Sequence, residues 1–363
     1  MKDNKEFLKD YLNAYSPVAQ ESEGQKIWID YIRPMVDTVN MDAYGTAYGY
    51  FRGYQPDLSY RLGKPYSVVI EAHCDEIAWI VTNIEKEGFL RVKPHGGSDN
   101  MIAPSMSVIV HTHDGTKIPG VFGSPAIHVR EKRTEMGSEV HDLWIDLGVD
   151  SDEKVKELGV EVGCVVTFDT QYSMLGDYHV GRSLDNKIGG YIIAEVVRYI
   201  KENDIRLPYD LYVVNSVQEE VGLYGAKMIA KKLQSDIAIV HDVCHNTNHP
   251  KMNKSKDGDI KGGKGPCLEY TAQNHRGIIK LIRQVAGEYE IPYQNTVGSY
   301  GNDTMAFFLE NTPTTIISTP LKYMHTTVEM VHKDDVDNAI KLFVETLKRI
   351  TPHWMDSINN PTV

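Results

Sequence analysis

Between about Ile77 and Thr170 the chain breaks the rhythm that governs the rest of it, and this break constrains the fold most. On either side, short apolar runs precede stretches with helical spacing. Inside, the runs "IAWIVTNI", "FLRVKP", "MSVIVHT", "GVFG", "DLWIDLG" and "GCVVTFD" follow one another, separated by Gly, Pro and Asp. Closely spaced β-type runs with turn residues between them predict a small barrel or sandwich. One short helix, Ser151 to Leu158, interrupts them. The outer segments predict helices over Gly24 to Val39, Asp185 to Glu202, Gly222 to Leu233, Ala272 to Glu288 and Lys333 to Ile350. They predict strands over Ser67 to Glu71, Leu211 to Val217, Asp236 to Val240 and Thr314 to Ser318. Such alternation implies an α/β class: a layered α/β/α domain with a mixed sheet, interrupted by an inserted β-barrel-like domain. The expected boundaries are 1-76 and 174-363 for the discontinuous main domain and 77-173 for the insert. With 363 residues, two domains are the natural division.

Composition narrows the function classes. The chain carries 38 Lys and Arg against 50 Asp and Glu, a net charge of -12. That argues against nucleic-acid binding, which needs a basic stripe. No stretch reaches the roughly 20 apolar residues of a membrane span. The opening "MKDNKEFLKDYLNAY" is charged and lacks an apolar signal core, so a cytoplasmic location is expected. Cys74, Cys164, Cys244 and Cys267 are widely spaced with no CxxC, which fits reduced thiols.

In open α/β sheets ligands collect at the carboxyl ends of strands. His73, Asp75 and Glu76 follow the Ser67 run. Glu219 and Glu220 follow Leu211 to Val217. His241 and Asp242 follow Asp236 to Val240. His325 follows the Thr314 run after a short turn, and Asp185 opens a helix in "GRSLDNK". Imidazoles and carboxylates in this mixture suit zinc, cobalt or manganese and are numerous enough for two ions. Each residue alone has an ordinary reading. Asp185 and Glu220 could favour helix starts, Asp242 could form a turn, and His73 and His325 could be polar loop residues. Only their convergence argues for metal.

Other stretches carry less. "GDIKGGKG" has Gly265 where a P-loop needs Ser or Thr, and HExxH and GxSxG are absent. His241, His245 and His249, with Cys244, could form a second metal cluster. Against this, adjacent strand residues face opposite ways.

The stretches "EAHCDEIAWIV", "GRSLDNKIGG", "VQEEVGLYGA", "IVHDV" and "KYMHTTVEM" resemble, in order and spacing, the dinuclear metallo-aminopeptidases of the glutamyl-aminopeptidase and tetrahedral (TET) aminopeptidase family. The resemblance runs over nearly the whole chain. It implies that His73, Asp185, Glu220, Asp242 and His325 hold two divalent metal ions, zinc first and cobalt or manganese as alternatives. Asp185 would bridge them. It implies Glu219 as general base and acid for a bridging water, Asp75 as the residue orienting His73, and a cis peptide at Asp185-Asn186. The implied activity is metal-dependent removal of N-terminal residues from peptides with a free N-terminus. The implied assembly is a homo-oligomer, commonly a tetrahedral dodecamer, with the insert supporting oligomerisation and shaping access. A two-metal deacylase or dipeptidase is the alternative; a glycosidase or an inactive scaffold fits less well. The chain departs from its relatives at "GSYGNDTMA", at "YSPVAQE" and at Cys74, which leaves the preferred residue open but removes no ligand.

Overall fold

The computed structural model describes residues 4–54, 60–61, 64–130, 139–298 and 301–358. An eleven-stranded sheet forms its centre. Four strands run parallel in the middle: Asp210–Ser216, Ser67–His73, Ile237–His245 and Thr314–Lys322. Antiparallel strands extend both sides, Ala47–Phe51 and Thr38–Met41 on one, Glu329–His332, Tyr178–Gly181 and Ser173–Leu175 on the other.

The parallel strands are covered on both faces, so they read as unbroken apolar runs rather than alternating ones. Every residue of Ser67–His73 is buried. Val68, Ile70 and Ala72 face a core that includes Ile188, Ile192 and Val196 of helix Leu184–Glu202, with Leu342 and Phe343 of helix Lys333–Arg349. Val69 faces the other way, against Ile229 of helix Tyr224–Leu233 and Phe307 of helix Thr304–Leu309. Each valine, leucine, isoleucine or phenylalanine among them stabilises the fold by roughly 1.5–3 kcal/mol on burial.

The interrupting segment closes on itself. Strands Ile145–Asp146, Leu90–His95, Ala78–Ile84, Val165–Phe168, Ser107–His111 and Lys117–Phe122 form a closed barrel with its own core, in which Trp79, Phe122 and Ile145 are buried. Helix Asp152–Glu157 lies within this segment, its N-terminus capped by the Ser151 hydroxyl.

Several predicted bounds shift. The first long helix covers Ser22–Ile32, ends through a short 3-10 turn containing Pro34, and gives way to strand Thr38–Met41, where Val39 lies. Proline removes a backbone donor and stops the helix early. The predicted Ala272 helix begins only at Arg276. The Ile237 strand runs on to His245, so His241 and Asp242 sit within it rather than beyond its end.

Candidate functional site

The candidate residues meet at the carboxyl ends of the parallel strands, with Asp185 reaching in from the start of helix Leu184–Glu202. Alternation along a strand decides which side chains reach this point. His73 lies on the face shared with Val69, and Asp242 on the face shared with Ala238 and Val240. His241 points to the opposite face. There it is buried, with Nδ1 3.1 Å from Asn186 Oδ1 and Nε2 2.7 Å from Thr319 Oγ1. Burial pushes its pKa down to about 3. Three groups of His and acidic side chains lie close enough to hold a metal among the described residues, and none includes His241, His245 or His249.

Asp185 stands at the centre. Its Oδ1 is 3.3 Å from His73 Nε2, and its Oδ2 is 3.3 Å from His325 Nε2. His325 Nε2 is also 3.3 Å from Glu220 Oε1. On the other side, His73 Nε2 is 3.8 Å from Asp242 Oδ1 and 3.9 Å from Glu219 Oε2. Two donor sets therefore overlap on one residue: His73, Asp185 and Asp242, and Asp185, Glu220 and His325. Glu219 belongs to a third grouping, with His73 and Glu220. The Asp185-Asn186 peptide is cis, as the resemblance implied.

Both imidazoles are turned the same way. His73 Nδ1 lies 3.2 Å from the carbonyl of Asp75, and His325 Nδ1 lies 3.1 Å from the carbonyl of Gly97. A carbonyl only accepts, so each ring carries its proton on Nδ1 and offers the Nε2 lone pair to the cluster. This is how a metal-ligating histidine is oriented. Gly97 belongs to the barrel segment, and a side chain there would lie 2.5 Å from His325 Nδ1.

The backbone around the cluster is tightly held. Gln218 and Leu223, flanking the two glutamates, have φ of 59° and 61°, and His325 has φ of 61°. Left-handed backbone at non-glycine residues gathers at functional sites. Asp75 spans the Glu219 turn: its two carboxylate oxygens accept the N–H groups of Glu219 and Glu220, each at 3.0 Å. Asp75 Oδ1 is also 3.5 Å from His73 Nδ1.

One supporting residue escaped the sequence reading. Glu329 is buried, and its carboxylate accepts the N–H of His325 at 2.7 Å and that of Asp185 at 3.1 Å. It ties together two loops distant in sequence. Its position in "KYMHTTVEM", four residues after His325, gives no signal of this role, because the acid lies in strand Glu329–His332 and its partners come from two separate loops. A second network sits at the neck of the barrel. Glu76 pairs with Arg182, lies 3.3 Å from Lys187 Nζ, and accepts the Ser16 N–H at 2.8 Å. Burial alone would raise its pKa, but the two cations hold it down at about 2.

The charge balance of the cluster is unfavourable as it stands. Among the described residues, Asp185, Glu219, Glu220 and Asp242 converge with His73 and His325 alone to offset them. Burial pushes the Glu219 carboxyl up to about 10; His73 opposes this, while Asp303, Asp242 and Glu220 add to it. Burial also raises Glu220 and Asp242, with Asp185 adding to both. Buried carboxylates crowded in this way are stable when paired with cations. The donor set of oxygens and imidazole nitrogens fits divalent zinc, cobalt or manganese. A cavity of about 1260 Å³ opens over the cluster and reaches past Asp242 to Glu269 and Gly298. Gly298 and 301–306 of "GSYGNDTMA" are described, whereas Ser299 and Tyr300 lie outside the described residues.

Imidazoles and carboxylates collected at strand ends under a broad cavity form a cluster that could hold metal ions. The chain belongs to the M42 glutamyl aminopeptidase family, whose sequence pattern matches residues 60–342. It is 29% identical to the lysyl aminopeptidase of Pyrococcus furiosus, over 89% of this chain and 90% of that one. The structure of an aminopeptidase from the archaeon Desulfurococcus kamchatkensis superposes with a TM-score of 0.89 at 29% identity, covering 99% of this chain and 98% of the other. The Pyrococcus horikoshii TET1 peptidase, which can assemble into a tetrahedron or a large octahedral shell, superposes with a TM-score of 0.84 at 27% identity, over 96% of this chain and all of that one. The protein is thus a peptide hydrolase of the aminopeptidase type.

Proposed function

We propose that the protein removes N-terminal residues from peptides at a centre holding two divalent cations. The observation that carries this reading is the division of Asp185: one carboxylate oxygen lies 3.3 Å from His73 and the other 3.3 Å from His325. His73, Asp185 and Asp242 would hold one ion, and Asp185, Glu220 and His325 the other. Bound there, such ions would supply Lewis-acid chemistry, polarising a peptide carbonyl and lowering the pKa of a water.

The remaining work falls to the chain's own side chains. Glu219 stands at the edge of the cluster, 3.9 Å from His73 Nε2. A carboxylate there, not committed as a ligand, can take a proton from the attacking water and give it to the leaving amine. Glu220 is nearer its histidine, at 3.3 Å, and suits ligation. Asp75 fixes both by holding their backbone and by facing His73. The cluster's acidic surplus suits the free amine of a peptide N-terminus.

The barrel would shape access, since its Gly97 lines the cavity. By analogy with the assembling TET1 peptidase, the chain would form a homo-oligomer, a tetrahedral dodecamer being the first form to look for. Among the described residues no helix is long and apolar enough to cross a membrane; a cytoplasmic location is part of the proposal. The test compares aminoacyl and N-acetylated peptide substrates and measures metal content on the same sample. Cleavage of the free peptides alone, abolished by a chelator and restored by zinc, cobalt or manganese, is expected. Equal cleavage of blocked peptides would exclude an aminopeptidase and favour a deacylase.

A further inference from the structure

The cavity has a second acidic feature, apart from the metal-binding cluster. Glu269 lies on strand Cys267–Glu269, which pairs with strand Thr314–Lys322 so that Cys267 is opposite Ser318. Ser318 is in turn the register partner of Asp242 on the adjacent parallel strand. Residues in register leave the same face of a sheet, as do residues two apart on one strand. Asp242, Ser318, Cys267 and Glu269 therefore share the face that carries the cluster. Strands are spaced about 4.8 Å apart, so Glu269 sits two strands beyond the strand of Asp242.

Glu269 is 3% exposed and lines the cavity. Its Oε1 accepts a hydrogen bond from the Ser318 hydroxyl. Among the described residues its Oε2 has no hydrogen-bond partner. That oxygen lies against the backbone of Gly298, where a side chain would come within 1.6 Å of it. Lys254, Lys256 and Asp257 also line the cavity, but the two lysines are exposed at its rim, and Lys254 is already paired with Asp259 at 2.9 Å. That oxygen of Glu269 opens onto the cavity, where a ligand cation can reach it.

Building on the aminopeptidase reading, the geometry points to Glu269 as the residue that selects the first side chain of the substrate, in favour of a cationic one, lysine or arginine. With the scissile bond over the cluster, the first side chain extends along the sheet face past Asp242 to the free Glu269 oxygen. Burial raises the Glu269 carboxyl to about 7, so an arriving cation meets a group that ionises readily.

The test measures kcat/KM of the metal-loaded enzyme for lysyl, arginyl, leucyl and glutamyl p-nitroanilides, and binding of free L-lysine and L-leucine by calorimetry. The wild type is expected to favour the lysyl and arginyl substrates. E269Q is expected to lower the lysyl-to-leucyl ratio of kcat/KM by about 10- to 100-fold and to erase the preference for L-lysine in binding. E269D, which keeps the charge, should retain part of the preference. Cleavage of leucyl but not lysyl substrate by the wild type would overturn the inference and leave the aminopeptidase reading standing. An equal loss on all four substrates in E269Q would overturn it too, assigning Glu269 to the common amine. Failure of the loaded wild type on every substrate would overturn the aminopeptidase reading itself.

Discussion

Asp75 accepts the backbone N–H of Glu219 at 3.0 Å, and through its second oxygen the N–H of the next residue at the same distance. One carboxylate thereby sets the turn from which two adjacent glutamates diverge. It does so while facing His73 Nδ1 at 3.5 Å, so the imidazole and the glutamate turn are positioned together.

Asp75→Asn keeps the shape but replaces one acceptor by an amide donor facing a backbone N–H. Outer partners of metal ligands typically contribute 10–100-fold to metal affinity or activity. A fall of that order, about 10- to 100-fold, is expected in kcat/KM. Steady-state kinetics with measured metal content checks it, and full activity in the variant would remove Asp75 from the machinery.

The two glutamates should separate in their effects. Glu219→Gln should lower kcat by about 10²- to 10⁴-fold, the range for a general acid–base group, with metal content near that of the wild type. Glu220→Gln should lose metal. Elemental analysis of the purified variants distinguishes the cases, and loss of metal in Glu219→Gln with retention in Glu220→Gln would exchange their roles.

Much of this centre could be read from the sequence, and what could not has a physical reason. His73, Asp185, Glu220, Asp242 and His325 come together because each stands at or near the end of a buried apolar strand or at a helix start, features that periodicity reveals. His241 could be set apart from Asp242 by strand alternation alone. Glu329 could not be found this way, because its role depends on accepting backbone N–H groups from two loops that only tertiary folding unites. Helix ends were equally opaque: Val39 has the spacing of a helix but pairs as an edge strand with Gly49. The pairing of Cys267 with Ser318, which brings Glu269 to the cavity, is likewise a long-range register with no local signal.

Glu329→Ala should act on stability before chemistry. It leaves the N–H groups of Asp185 and His325 without their acceptor, at about 1–3 kcal/mol for each unsatisfied buried group. A lowered Tm, with weaker metal binding, is expected. An unchanged melting curve would show that water replaces the carboxylate without loss.

A pH effect should arise in the barrel. His111 is buried, with Nε2 2.8 Å from Thr167 Oγ1, and burial lowers its pKa from 6.5 to about 4, with Lys117 and Arg182 adding to the effect and Glu76 opposing it. The unfolded chain takes up a proton below pH 6.5 that the folded chain refuses until about 4. Stability from this group is therefore fully present above 6.5 and is lost as pH falls from 6.5 toward 4. Tm measured across that window should fall less steeply in His111→Gln than in the wild type; parallel curves would refute the assignment.

The carbonyl of Gly97 bears on how far the barrel can be treated as a separate piece. It is the partner that leaves His325 Nε2 free, and it comes from the inserted segment rather than from the sheet. A boundary drawn through the covalent chain at the neck thus does not coincide with the boundary of the chemistry. Excising the barrel, or transplanting one from a relative, would free the His325 ring to rotate unless the graft returned a carbonyl at the same point, on a residue as small as glycine.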